Sequence, residues 1–218
     1  MTVAGAWRDL RVAVREASLL GAEFRVVGAQ VEVSGKLAVM AINEILFRTL
    51  MDKNPDASFA IEQSFPFTST YAQATPLGPI MELRVHDQQQ ALTTDRAAQA
   101  VDYWNSTAQQ LLIDPQTPAD SDPRKAYSKL VADQAALLLN RGYATEAEQE
   151  FQIANQLCPS SPEAVFNYVN FLVSQKRFSD AVAVVNGAMA AAPDNRQFSE
   201  LLDNLGNAEK STMGRSHN

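Results

Sequence analysis

Apolar positions along this chain keep two different rhythms, and the change of rhythm divides it. In the first part, helical and strand periods alternate. Trp7, Leu10, Val14 and Ala17 fall on one helical face and Arg8, Arg11 and Arg15 on the other, so an amphipathic helix is expected over 4–20, stopping at Gly21. Residues 24–33 are β-branched and partly alternating, which predicts one strand with an irregularity at Gly28. Ser34 is placed to cap a helix over 36–53 with Leu37, Met40, Ala41, Ile45 and Leu46 as its apolar face. Asn54-Pro55-Asp56 reads as a turn. Short strands are expected over 58–64 and, after Gly78-Pro79, over 80–85. A further helix over 93–112 would bury Ala97, Val101, Trp104, Ala108 and Leu111.

The boundary is Asp114 to Pro123, where three prolines and three aspartates in ten residues argue for a linker. Beyond it the pattern is helical and repeats. Ala147, Phe151, Ala154 and Pro159 recur 34 residues later as Ala181, Val185, Ala188 and Pro193. Leu138 with Leu172, and Ala135 with Val169, share the offset. Small residues suit close helix crossings, a large residue fills the space beside them, and a proline ends each second helix. On these residues the region 126–193 resembles the tetratricopeptide repeat family. Lys176 stands where a glycine often turns the chain, and residues 196–209 would form a capping helix. The chain is therefore expected to be α+β. A small α/β N-terminal domain (1–114) and a linker (115–123) precede an all-α tetratricopeptide helical-hairpin repeat domain, with two repeats and a capping helix over 124–209 and a disordered tail over 210–218.

Composition narrows the functional classes. Of the 218 residues, 18 are basic and 25 acidic, for a net charge of −7, and both halves share the deficit. No basic stripe exists to neutralise phosphates, so nucleic acid is not an expected partner. No run reaches the ~18–20 apolar residues of a membrane helix, so the chain is not expected to insert directly into a membrane. Charged residues from Arg8 to Glu16 break any signal-peptide core. One cysteine, Cys158, excludes an internal disulfide framework, and two histidines leave little for zinc.

Catalytic constellations are sparse. His86 has no companions at ligand spacing, and His217 sits in a polar tail. Cys158 precedes a repeat-ending proline, as a buried structural thiol would. Ser64 lacks the flanking glycines of a nucleophile elbow, and Gly21, Gly28 and Gly35 make no phosphate loop. Glu62 and Glu82, on neighbouring expected strands, are the one carboxylate pair with a conceivable acid–base use. No catalytic residue, metal ligand or cofactor is assigned. Stacked repeats imply a concave face for a protein or peptide partner. The first repeat would present Lys129, Ala132, Asp133 and Ala136 there, and the second Phe166, Asn167, Asn170 and Val173. Of these, Lys129, Asp133, Phe166, Asn167 and Asn170 are the candidate partner-binding residues. Asn167 and Asn170 fit the carboxylate-clamping members of the family loosely, and Asp133 opposes an anion.

A second resemblance rests on the order of several segments. These are Val39–Leu46, Asp52–Pro55, Phe59–Pro66, Tyr71, Thr75–Leu83, Asp102–Trp104 and Ala154–Phe166. Over about 25–205 this order is similar to the soluble C-terminal part of bacterial multi-span membrane proteins related to protein O-mannosyltransferases. The chain departs from them after Ser64-Phe65-Pro66, where one tyrosine and no tryptophan follow, and at Pro76-Leu77-Gly78-Pro79. The resemblance implies an extracytoplasmic (periplasmic) accessory region, with its own upstream membrane region as a further partner and any glycosyl-transfer chemistry in that region. Otherwise the reading is a stand-alone cytoplasmic adaptor binding peptides.

Overall fold

The structure is a computed structural model that describes residues 23–27, 30–34, 36–62, 74–83 and 92–215. The helix expected over 4–20, Gly21, Gly28, Gly35, Ser64, His86 and His217 lie outside the described residues. The chain divides into two compact units, Met1–Ala74 with Glu82–Ala91, and Thr75–Met81 with Leu92–Asn218.

In the first unit, β1 (Glu23–Val27) pairs antiparallel with β2 (Gln30–Ser34), from Glu23↔Ser34 to Val27↔Gln30. The single strand expected over 24–33 is thus a hairpin. Helix α1 (Lys36–Lys53) has the expected bounds, and Asn54 and Ala57 close the turn after it through the carbonyls of Met51 and Asn54. Leu46, expected on the apolar face, is instead 52% exposed, while Met51 is buried and Phe47 meets Phe59 edge-on at 5.9 Å. Consecutive apolar residues at Ile45, Leu46 and Phe47 leave the face open in one dimension, and packing chooses it.

Strands β3 (Phe59–Ile61), β4 (Ala74–Leu77) and β5 (Ile80–Leu83) form a sheet in the order β3-β5-β4. The sequence reading missed β4 because Pro76 interrupts it. An edge strand tolerates the missing N–H, and β4 is at the edge. Gly78, in the connection to β5, has φ +59, and a Cβ there would lie 3.4 Å from the Tyr103 ring. Both conditions favour glycine.

The second unit is helical. Helix α2 (Thr94–Ile113) is capped by Thr93, whose hydroxyl accepts from the Arg96 N–H at 3.3 Å. It buries Ala97, Ala100, Val101, Trp104 and Ala108. The run after it is a hydrogen-bonded connection. The Thr117 hydroxyl donates to the Leu111 carbonyl at 2.6 Å, and the Arg124 guanidinium donates to those of Leu111 and Leu112, both at 3.1 Å. These bonds satisfy carbonyls that the end of α2 leaves open.

Two helical hairpins follow, α3 (Asp122–Asn140) with α4 (Ala144–Leu157) and α5 (Pro162–Ser174) with α6 (Phe178–Ala191). Ala135, Leu138, Ala147, Phe151 and Ala154 of the first are buried, as are Val169, Leu172, Ala181, Val185 and Ala188 of the second. The period read from the sequence is therefore a period of packing. Ala181→Leu is expected to overpack its crossing and cost roughly 1–3 kcal/mol, read by urea denaturation.

The two inter-helix turns are equivalent as well. Tyr143 N–H bonds to Leu138 and Gly142 N–H to Leu139. Arg177 and Lys176 repeat this pair on Leu172 and Val173. This helix ending needs a left-handed residue, and Gly142 (φ +88) provides it without strain. Lys176 adopts φ +60 with a side chain. Lys176→Gly should therefore stabilise by roughly 0.5–1 kcal/mol, the relief of αL strain slightly exceeding the added unfolded-state entropy. A thermal melt with a midpoint unchanged or lowered would count against this.

Helix α7 (Arg196–Arg215) begins where the capping helix was expected and continues through residues read as tail, of which 216–218 lie outside the described residues. It buries Phe198 and Leu205 and exposes Gln197, Glu200, Asp203 and Asn204.

Candidate functional site

Helices α3 and α5, the first helices of the two hairpins, lie side by side. A shift of 34 residues carries Lys129 onto Glu163, Ala132 onto Phe166, Asp133 onto Asn167 and Ala136 onto Asn170. Within each helix, residues three and four apart share a face. Lys129 with Asp133, and Glu163 with Phe166, Asn167 and Asn170, therefore line equivalent strips. Asn170 is exposed, and Lys129, Asp133, Ala136, Phe166, Asn167 and Val173 are half-buried. Ala132, expected on this face, is fully buried among the apolar side chains around Trp104, because a methyl group is too short to reach past its neighbours.

Asp133 is the electrostatic centre of the strip. Burial pushes its carboxyl up to about 6, Lys129 one turn away opposes the shift, and Glu163 on α5 adds to it. Glu163 thus acts electrostatically on Asp133 from the neighbouring helix. No hydrogen bond or ion pair within the described residues satisfies the Asp133 carboxylate. Glu163 was absent from the sequence-read set, although its place one period after Lys129 could have revealed it.

Elsewhere, chemistry-bearing residues are dispersed. Cys158 is buried, its thiol 3.3 Å from the Ser160 hydroxyl. Glu62 is exposed just past β3, and Glu82 is half-buried on β5. Among the described residues, no group of three or more His, Cys, Asp or Glu side chains could hold a metal ion. Nor is any described helix long and apolar enough to cross a membrane.

The interior of the first hairpin is more polar than that of the second. Gln134, Glu150 and Asn155 stand where the next repeat has Tyr168, Val184 and Met189. Gln134 is buried and fully used. Its carbonyl accepts from the Trp104 indole N–H at 2.9 Å, and its amide donates to the carbonyls of Gly78 at 2.8 Å and Ile80 at 3.2 Å. Tyr168 instead stacks on Phe151 at 5.8 Å. The side of α3 on which an upstream repeat would stack is thus met by α2 and the Thr75–Met81 segment.

Residues 138–205, from the second half of α3 into α7, match the family model of the tetratricopeptide repeat. This stretch of the chain is similar to a tetratricopeptide repeat. The paired helices, the shared period and the small residues at their crossings are those of that repeat. No curated protein matches the chain.

Proposed function

We propose that this chain is a non-catalytic interaction scaffold whose tetratricopeptide repeats hold a protein or peptide partner on the shared face of α3 and α5. The observation that carries this reading is the packed 34-residue period, with the family match over 138–205. Both ends of the stack are covered. Helix α7 turns polar residues outward at one end, and α2 exposes Asp95, Gln99, Asp102, Asn105 and Gln109 at the other. Terminal elements with polar outer faces keep a repeat stack soluble and stop it from extending. The strip of Lys129, Asp133, Phe166, Asn167 and Asn170 then remains as the binding face.

Replacing Asn167 and Asn170 together with alanine should weaken peptide binding at least tenfold, the equivalent of about 1.4 kcal/mol. Asn170 is exposed and Asn167 half-buried, and neither belongs to the buried core, so the double variant should keep a melting temperature close to the parent's. Undiminished binding by the folded variant, measured by fluorescence anisotropy, would remove this face from the proposal.

For its setting, we propose the extracytoplasmic accessory region of a membrane glycosyltransferase-like protein. Support comes from the ordered segments Phe59–Pro66, Thr75–Leu83 and Asp102–Trp104. Alkaline phosphatase fused after this region in the complete reading frame should be active, because it folds only outside the cytoplasm. An inactive phosphatase fusion with an active cytoplasmic reporter would leave the stand-alone adaptor.

A further inference from the structure

We infer that α2 is a detachable cover on the first hairpin, which closes over α4 while the Glu150 carboxyl holds its proton and lifts away when that proton passes to water. This goes beyond the interaction reading above and does not depend on the strip of α3 and α5.

The placement of Glu150 carries the inference. At 3.6 residues per turn, Glu150, Ile153 and Leu157 fall within roughly 60° of one another on α4. Ile153 and Leu157 pack in one buried cluster with Trp104 and Ala108 of α2. Glu148, which pairs with Arg177 of the second hairpin, lies on the opposite flank of the helix. The Glu150 flank therefore belongs to the contact with α2, not to the contact between repeats. Its side chain is fully buried, and neither carboxylate oxygen has a hydrogen-bond partner. A neutral carboxyl tolerates such surroundings far better than a carboxylate, because a buried charge without a counter-charge is costly.

No neighbouring charge compensates. On α2, Asp95 and Asp102 are exposed and Arg96 is half-buried. On α3, Asp122 and Lys125 are exposed, Arg124 is spent on the Leu111 and Leu112 carbonyls, and Lys129 and Asp133 line the other strip. Glu163 on α5 is exposed, and Glu146 on α4 itself is half-buried. Burial is the single cause of the upward shift of the Glu150 carboxyl, so none of these groups holds either of its forms.

The attachments of α2 suit a local release. Its covering face is mostly small, with Ala97, Ala100, Val101 and Ala108 around Trp104. At its C-terminal end, the bonds from Thr117 and Arg124 to the Leu111 and Leu112 carbonyls form a tether about which the helix can swing. Elsewhere it is held by the Trp104 N–H on Gln134 and, just before its start, by the Tyr143 hydroxyl on the Leu92 carbonyl at 2.9 Å. The packing of α3 on α4 uses another face, where Ala147 and Phe151 share a cluster with Ala135 and Leu138. The hairpin can therefore stay formed while α2 leaves. In the open form Glu150 meets water and regains its ordinary pKa of 4.5, whereas the closed form keeps the proton to higher pH. Opening thus releases one proton, and its equilibrium constant should rise about tenfold per pH unit above 4.5 until the closed form ionises too.

The test is hydrogen exchange on the full chain from about pH 6 to about pH 9, above the range in which Asp133 titrates and across that of a deeply buried glutamate. Protection factors remove the intrinsic pH dependence of exchange. The α2 amides should lose protection by about tenfold per pH unit over the lower part of this range and stay below those of α5 and α6 throughout. Glu150→Gln, which cannot ionise, should hold α2 protection level across the range. Glu150→Met gives the same reading should the glutamine variant fail to fold. Equal protection of α2, α5 and α6 at every pH would mean that Glu150 acts only through unfolding of the whole helical unit, and overturns the inference. A loss of α2 protection that persists in the folded variant, or no loss in the parent, overturns it as well.

Discussion

Trp104→Ala is expected to lower the unfolding free energy by roughly 3–5 kcal/mol, the largest effect of any single truncation proposed for this protein. The indole is fully buried, edge-on to Tyr103 at 5.1 Å and Tyr127 at 6.1 Å. Truncation leaves a cavity and also strips the Gln134 carbonyl of its donor, which is costly for a buried group. Trp104→Phe separates the two contributions, since it keeps most of the volume and loses the N–H. It should cost about 1–3 kcal/mol. Urea denaturation with a common slope measures both. A Trp104→Ala loss below ~1 kcal/mol would mean that α2 does not close the first repeat. Helix α3 is built for this contact. It starts six residues before the equivalent start of α5 (Asp122 against Ser128, which matches Pro162), and that extension carries Arg124 and Tyr127 to α2.

The second large effect is a gain. Glu150→Met should stabilise the protein by roughly 2–4 kcal/mol near neutral pH, removing an unsatisfied buried carboxyl and adding apolar burial. Glu150 is fully buried on α4, and neither carboxylate oxygen has a partner. Burial alone raises its pKa well above the usual glutamate value. The consequence for stability has a definite sign. The native state holds a proton that the unfolded chain releases above the ordinary value of 4.5. Stability from this group is therefore full below pH 4.5 and is lost as pH rises through the native pKa. Asp133 acts in the same direction between 3.8 and about 6. Its part is roughly 1–2 kcal/mol after allowing for solvent screening of a half-buried group. From pH 3.8 upward the parent should thus lose stability through these two groups, and Glu150→Met should flatten the curve most above about pH 6, beyond the Asp133 range. An unchanged slope in denaturant titrations across that range would argue against a buried, unpaired Glu150.

Much of the helical half was legible in the chain because its cause is local and periodic. Each residue of the packed period is one whose size or shape a helix crossing demands, so Ala147, Phe151 and Ala154 and their counterparts predict their own burial. Helix α1 and the turn at Asn54 were legible for the same reason, through caps and breakers acting over a few residues. The strands were less so. The β1–β2 hairpin and β4 depend on which neighbour each strand finds, and a proline that forbids a central strand permits an edge.

The binding face shows the same division. Lys129, Asp133, Phe166, Asn167 and Asn170 could be placed on first helices from helical spacing alone. The raised pKa of Asp133 could not, because it depends on how two helices lie side by side and how much water they exclude. The same holds for Gln134, where one glutamine satisfies an indole and two backbone carbonyls from segments 30 to 56 residues away. Periodic spacing along the chain specifies which repeat is built and which residues face inward, since a helix maps sequence distance onto direction. Which polar groups become paired, stranded or charged depends on contacts between distant segments, and those come from packing in three dimensions.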